Sequence, residues 1–180
     1  MSAETVYIVL FRGVGGATQL PTKPLKEALT KAGFGNVATY INSGNAIVSS
    51  RKSAESVVAE MAKITKKEFG FDKAIYAVTR DEWRKLIANN PFPEATSIPK
   101  FLHAAVLDGQ PDEEKVEALR AFARADERIA VVDKVAYLHT PSGFGTSKLA
   151  EKFDRGIGVP NTARNWNTVM ALAKMADAIG

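Results

Sequence analysis

The stretch Pro91 to Pro99, PFPEATSIP, holds three prolines in nine residues. Proline has no N–H and a fixed φ, so neither a helix nor an inner strand runs through such a segment. It divides the 180-residue chain into residues 1–90 and 91–180, and each part has to build its own layers of secondary structure.

The first part reads as alternating elements. TVYIVLFR (Thr5 to Arg12) is an apolar run bounded by a glycine-rich loop, as expected of a strand buried on both faces. KPLKEALTKAGF sets Leu25, Ala28, Leu29 and Ala32 at helical spacing, with Pro24 in the first turn and Gly33 past the end. VATYINSGNAIVSS (Val37 to Ser50) is a hairpin around Ser43-Gly44. SAESVVAEMAKITKKEF (Ser53 to Phe69) is a helix with Val57, Val58, Met61 and Ile64 on one stripe, and KAIYAVT (Lys73 to Thr79) is a strand. The order β-α-β-β-α-β is the split β-α-β of a ferredoxin-like unit, which predicts an antiparallel sheet ordered 4-1-3-2. RDEWRKLIANN follows as a bridging helix with Trp83, Leu86 and Ile87 inward.

Beyond the prolines the pattern restarts. KFLHAAVLD (Lys100 to Asp108) reads as a strand and DEEKVEALRAFA (Asp112 to Ala123) as a helix with Val116, Leu119 and Phe122 inward. RIAVVDKVAYLHT (Arg128 to Thr140) is a hairpin turning at Asp133-Lys134. TSKLAEKFDRG is a helix ended by Gly156, and NWNTVMALAKMADAI is a last one, with Trp166, Val169, Met170, Ala173 and Ala176 on its apolar stripe. The second part is therefore expected to be β-α-β-β-α with a helix in place of the final strand. The fold class is α+β, two ferredoxin-like halves from a degenerate duplication visible in element order and not in residue identity.

Composition removes several function classes. With no cysteine there is no disulfide, thiolate nucleophile or Cys-based zinc site, which suits a reducing, cytoplasmic setting. The longest apolar run, VYIVLF, is far below the 18 or more residues of a membrane helix. RGVGGAT lacks the last glycine of a dinucleotide fingerprint, and no Gly-Lys-Ser/Thr run forms a P-loop. The third strand, NAIVSS, carries none of the stacking aromatics of an RNA-recognition module, and Tyr7 alone makes no platform. Gly-x-Ser-x-Gly is absent and the carboxylates are scattered, so serine hydrolase and glycosidase chemistry find no support.

Polar residues are expected to converge at strand ends. Neighbouring first and third strands bring Arg12 and the GVGG loop beside NSGN (Asn42 to Asn45), so Arg12, Ser43 and Asn45 form a candidate anion site. The alternative is that Ser43-Gly44 makes the turn and an asparagine caps it. The same geometry in the second part predicts His103 beside His139, a pair suited to acid-base work, with no third ligand spaced for a metal. Gly143 and Gly145 lead into a helix with Lys148 in its first turn, where free N–H groups attract anions. In TARNWNTV (Thr162 to Val169), taken as a first helical turn capped by Thr162 or Asn165, Trp166 is a core anchor, while Arg164 opposes the helix dipole and needs a partner.

Six ordered segments then stand out together: FRG with its following glycines, TYINSGN, NPFP, the strand bearing His103, YLHTPSGFGTSKL and TARNWNTV. They resemble the bacterial family known as domain of unknown function 1697. The resemblance implies a two-part α+β fold and a cytoplasmic bacterial protein, and it implies no activity or cofactor. One departure is local: members usually read Arg-Gly-Ile-Asn-Val-Gly-Gly where this chain has the shorter Arg12 to Gly16. The expected function is binding, or catalysis on, a small anionic or phosphate-bearing ligand through Arg12, Ser43, Asn45, Lys148 and Arg164, with His103 and His139 as acid-base groups. The alternative is a protein or nucleic-acid interaction module using the first half, which holds 13 Lys/Arg against 8 Asp/Glu.

Overall fold

In the first sheet β1 (Thr5–Phe11) is an inner strand, because every residue from Val6 to Phe11 is apolar and can be covered on both faces. The structure is a computed structural model that describes residues 3–15 and 18–179. α1 (Thr22–Lys31), β2 (Gly35–Thr39), β3 (Asn45–Ser50), α2 (Ala54–Phe69) and β4 (Ile75–Thr79) follow, and the sheet order is β2-β3-β1-β4. That is the ferredoxin-like order expected, antiparallel throughout. Tyr7, Val9, Phe11, Ala46 and Val48 line one face and pack with Leu25 and Leu29 of α1 and Val57 and Met61 of α2. Ile8, Leu10 and Ile47, of opposite parity, are equally buried. α2 starts where Ser53 Oγ accepts from Ser56 N and ends at Gly70 in the left-handed region.

α3 (Arg80–Ala88) buries Trp83 and Leu86. The proline-rich segment folds as two short 3₁₀ turns, Pro93–Ser97 and Pro99–Phe101, each with proline at its start. β5 (Leu102–Leu107), α4 (Glu113–Arg120), β6 (Arg128–Val132), β7 (Val135–His139), α5 (Lys148–Gly156), β8 (Asn161–Asn165) and α6 (Trp166–Asp177) complete the chain. The second sheet is ordered β6-β7-β5-β8, the same topology as the first. Ala105, Leu107, Leu138, Ala136 and Ile129 on one face meet Val116 and Leu119 of α4 and Leu149 and Phe153 of α5.

Three expectations need correction. The second half keeps its final strand: Asn161–Asn165 pairs antiparallel with β5, Thr162 opposite Val106 and Arg164 opposite Ala104. The signal that misled is the cap itself, since Asn165 Oδ1 accepts from Thr168 N at 3.1 Å, so the helix begins at Trp166 and what precedes it is extended. Phe122, read as inward, is 41% exposed because α4 stops at Arg120. Met170 is 45% exposed, and Leu172 takes its place on the buried stripe with Trp166, Val169 and Ala176. Gly156 is the last residue of α5, as expected, and a Cβ there would lie 2.6 Å from Leu119 Cδ2, so this glycine also permits α4 and α5 to approach.

Two compact units emerge, one formed by residues up to Lys85 with those from Ala171 onward, the other by Leu86–Met170. In the first, Arg80 donates to the carbonyls of Ala176 (3.1 Å) and Ile179 (2.6 Å), and Arg84 donates twice to Asp177 Oδ1, at 3.0 and 2.7 Å. In the second, the buried Tyr137 hydroxyl donates to Leu86 O at 2.6 Å. Among the described residues no helix is long and apolar enough to cross a membrane.

Candidate functional site

At the turn of the first sheet, Asn45 stands opposite Leu10 and Arg12 follows two residues later on the same strand path. Phe11 N donates to Gly44 O at 2.8 Å and Arg12 N to Ala74 O at 3.0 Å. Gly44 has φ 81°, and a Cβ there would meet Phe11 O at 2.6 Å, so only glycine fits. The buried Asn45 donates to Tyr40 O at 3.2 Å and to Ser43 Oγ at 3.0 Å. Ser43 and Asn45 are thus brought together, and their recorded bonds brace the turn. Gly16, part of the expected loop, lies outside the described residues.

At the corresponding end of the second sheet, the register separates the two histidines. Leu102 stands opposite His139, and His103 stands opposite Leu138 on one side and Asn165 on the other. Successive side chains alternate between faces, so His103 and His139 are on opposite faces and the expected pair does not form. His139 shares its face with Arg128, its cross-strand partner, whose guanidinium donates to His139 Nδ1 at 3.1 Å, pairs with Glu94 and lies 4.3 Å over the Phe92 ring. Nδ1 therefore accepts, which puts the proton of the neutral ring on Nε2. Burial and the Arg128 charge hold its pKa below the ordinary histidine value, against a smaller upward pull from Glu94 and Asp126.

Arg164 occupies that same second face on β8, opposite Ala104. It donates to Thr162 Oγ1 and to Ala163 O, both at 2.8 Å, and burial pulls its pKa down to about 10. Because it is a strand residue, the conflict with a helix dipole does not arise. β5 runs between β8 and β7, so Arg164 and His139 stand two strands apart, on the order of 10 Å.

The other face of this sheet end holds a different set. His103 stacks on Phe144 with ring centroids 3.9 Å apart and planes at 24°, and burial drives its pKa down to about 4. The β5–β7 ladder continues one step through Thr140 N to Phe101 O at 2.9 Å. Thr140 is thereby a diagonal neighbour of His103, at a typical Cα separation of about 7–8 Å. Glu127 immediately precedes β6, whose first residue pairs with His139. Thr140 is 0% exposed and Glu127 5%. Among the described residues, nothing offers a hydrogen bond to Thr140 Oγ1, Glu127 Oε2 or His103 Nδ1.

Above them runs the loop from Thr140 to Ser147. It is tied to the turn before β6 by Arg124 donating to Thr146 O at 3.0 Å and Ser142 to Asp126 Oδ2 at 3.4 Å, while Glu127 Oε1 accepts from Arg124 N at 3.0 Å. Ser147 caps α5 by accepting from Ala150 N at 3.1 Å, and the exposed Lys148 is the first residue of that helix. Glu127, Thr140, Phe144 and Arg128 were not singled out in the sequence. Phe144 carried a signal, being a large apolar residue between two glycines in a polar turn; Glu127 and Thr140 became visible only through their burial. No group of three or more His, Asp or Glu among the described residues could hold a metal.

No curated protein matches the chain. A solved structure titled a conserved bacterial protein, SP0830 from Streptococcus pneumoniae, is similar at a TM-score of 0.75 and 21% identity, over 97% of this chain and 99% of that one. At that identity the likeness shows the fold, with its two duplicated halves. The family described as "Protein of unknown function (DUF1697)" matches residues 5–137, and this chain belongs to it.

Proposed function

We propose that the protein binds a small anionic or phosphate-bearing ligand at the end of the second sheet, where the Thr140–Ser147 loop enters α5. The observation that carries this is Thr140, fully buried with an unpartnered hydroxyl. A buried hydroxyl without a partner costs about 1–3 kcal/mol, and a ligand oxygen accepting its proton would recover that. At the other end of the loop, the first N–H groups of α5 lack acceptors within the helix, and Lys148 adds a positive charge. His103, unprotonated at neutral pH, is a hydrogen-bond and proton-transfer group on the same face. Arg164 and His139 act from the opposite face in this proposal, shaping the potential without touching the ligand. Arg12, Ser43 and Asn45 belong to the other unit, where the Ser43 hydroxyl proton is the donor an anion would meet.

The test is calorimetric titration and thermal shift with inorganic phosphate, sugar phosphates and nucleoside monophosphates. Saturable binding weakened at least tenfold by Thr140→Val and by Lys148→Glu is the expected result. Absence of saturable binding across all three classes removes the proposal.

The alternative function, a nucleic-acid or protein interaction surface, draws on Lys23, Lys26 and Lys31, exposed along α1 in the first unit. Nucleic-acid affinity that falls steeply with salt and is lost on reversing these three charges would favour it.

A further inference from the structure

Building on ligand binding at the Thr140–Ser147 loop, we infer that the ligand carries a flat heteroaromatic ring, stacked on His103 in the place Phe144 occupies. Four observations converge on this class. The His103 and Phe144 rings are near parallel at 3.9 Å, so the imidazole already serves as a platform for a flat partner. Phe144 is only half-buried and sits between Gly143, with φ 116°, and Gly145, so neither sequence neighbour has a side chain to hem in its ring. The loop is braced by Arg124 and Asp126 from outside and by its own Gly143 N to Thr140 O, Ser147 N to Phe144 O and Thr146 Oγ1 to Ser142 O bonds, none of which involves the Phe144 ring, so the ring can leave His103 by side-chain rotation alone. On the same face two further buried atoms join His103 Nδ1 in lacking partners, Thr140 Oγ1 diagonally across just past β7 and Glu127 Oε2 one strand further just before β6.

The chemistry of those three atoms narrows the ligand. A carboxylate at Glu127 accepts hydrogen bonds and repels bare phosphate, so an N–H or O–H donor on the ligand suits Oε2. Thr140 donates or accepts. The α5 N-terminus and Lys148 lie at the far end of the loop and suit a phosphate. A flat ring with an amine or hydroxyl donor, joined to a phosphate, meets all three demands, and a nucleoside monophosphate is the simplest such molecule. A sugar phosphate offers the hydroxyls and the phosphate but nothing to displace Phe144.

The probes are therefore adenosine and cytidine monophosphates against ribose 5-phosphate and inorganic phosphate, titrated into the full chain. Nucleotides are expected to bind at least tenfold tighter than ribose 5-phosphate. Phe144→Leu, which keeps an apolar cover but removes the competing ring, is expected to tighten nucleotide binding several-fold and leave ribose 5-phosphate unchanged, while Glu127→Gln weakens nucleotide binding. A readout independent of affinity is the His103 ring in a histidine-labelled sample, where only two histidines resonate. Its C–H shifts should move on Phe144→Leu and again on adding nucleotide, with His139→Gln assigning the pair. Equal affinity for nucleotide and ribose 5-phosphate, both lost on Thr140→Val, overturns the ring platform and leaves the anion site standing. Binding of none of the four overturns both.

Discussion

His103 and His139 lie on opposite faces of one sheet, because Leu102 and not His103 stands across from His139. A one-residue offset in register decides this, since side chains alternate with period two. The two rings therefore titrate in separate surroundings: His103 against Phe144, His139 against Arg128 and Glu94. A shared proton or metal between them is excluded by placement, and replacing both should have additive effects on stability within about 0.5 kcal/mol.

Stability should fall as the solution is acidified from pH 7 towards 4, with a measurable share due to His103. Its folded pKa of about 4 lies below the 6.5 of the unfolded chain. Between those values the unfolded state binds more protons, so this contribution is complete above pH 6.5 and is lost as pH falls towards 4. The slope reaches at most about 1.4 kcal/mol per pH unit, and the whole effect is on the order of 3 kcal/mol. His139 is shifted in the same direction. The share belonging to His103 is the difference between wild type and His103→Leu in urea unfolding at pH 7.5 and 4.5, and equal acid losses in the two proteins would show that the ring is not held neutral.

Tyr137→Phe should destabilise the protein by about 1–3 kcal/mol. The hydroxyl is buried and donates to Leu86 O, one of the last carbonyls of α3 and so without a helical donor of its own. Removing it strands that carbonyl. Burial and Asp133 raise the phenol pKa, so the hydroxyl stays protonated through the neutral range. Chemical denaturation of the variant measures the loss, and an unchanged midpoint would mean that Leu86 O finds another donor.

Much of this architecture is legible in the residues, and the exceptions have a common physical cause. Hydrophobic period and turn chemistry locate β1, the Asp133-Lys134 hairpin and the strand order of the first sheet, because burial on one or two faces imposes those patterns directly. β8 escaped because NTARN has no apolar alternation of its own; it becomes a strand by completing hydrogen bonds along the edge of β5. Gly156 was legible as the end of α5, whereas its role in the α4–α5 approach is a tertiary fact. At the candidate site the glycine loop leading into a helix that starts at Lys148 was legible. The burial of Thr140 and Glu127 was not, because unsatisfied polar atoms arise from how the 124–127 turn and the 140–147 loop meet, and pairwise sequence spacing does not encode that meeting.

Gly156→Ala opposes two effects of known size. In a helix with ordinary backbone angles, alanine is favoured over glycine by about 0.5–1 kcal/mol. Here the new Cβ would lie 2.6 Å from Leu119 Cδ2 and 3.2 Å from its Cγ, and Leu119 is itself 1% exposed, so relief requires repacking at about 1–3 kcal/mol. The clash should win, with net destabilisation on the order of 1 kcal/mol. Adding Leu119→Ala should make the glycine replacement favourable, a sign change that a double-mutant cycle detects.

Thr140→Val should stabilise the protein while weakening ligand binding. Valine keeps the shape of threonine and replaces a hydroxyl that has no partner among the described residues with a methyl group, in a position with no exposed surface. Losing the unsatisfied group gains about 1–2 kcal/mol, with nothing broken in exchange, because no recorded side-chain bond of Thr140 is lost and its backbone bond to Phe101 O remains. A hydroxyl retained at such a cost is what a binding function explains, since optimisation for stability alone would favour the apolar isostere. Parallel measurements of melting temperature and phosphate-ligand affinity separate the possibilities: a rise in the first with a fall in the second is expected, whereas a fall in stability would mean that the hydroxyl is bonded in solution and that Thr140 belongs to the scaffold.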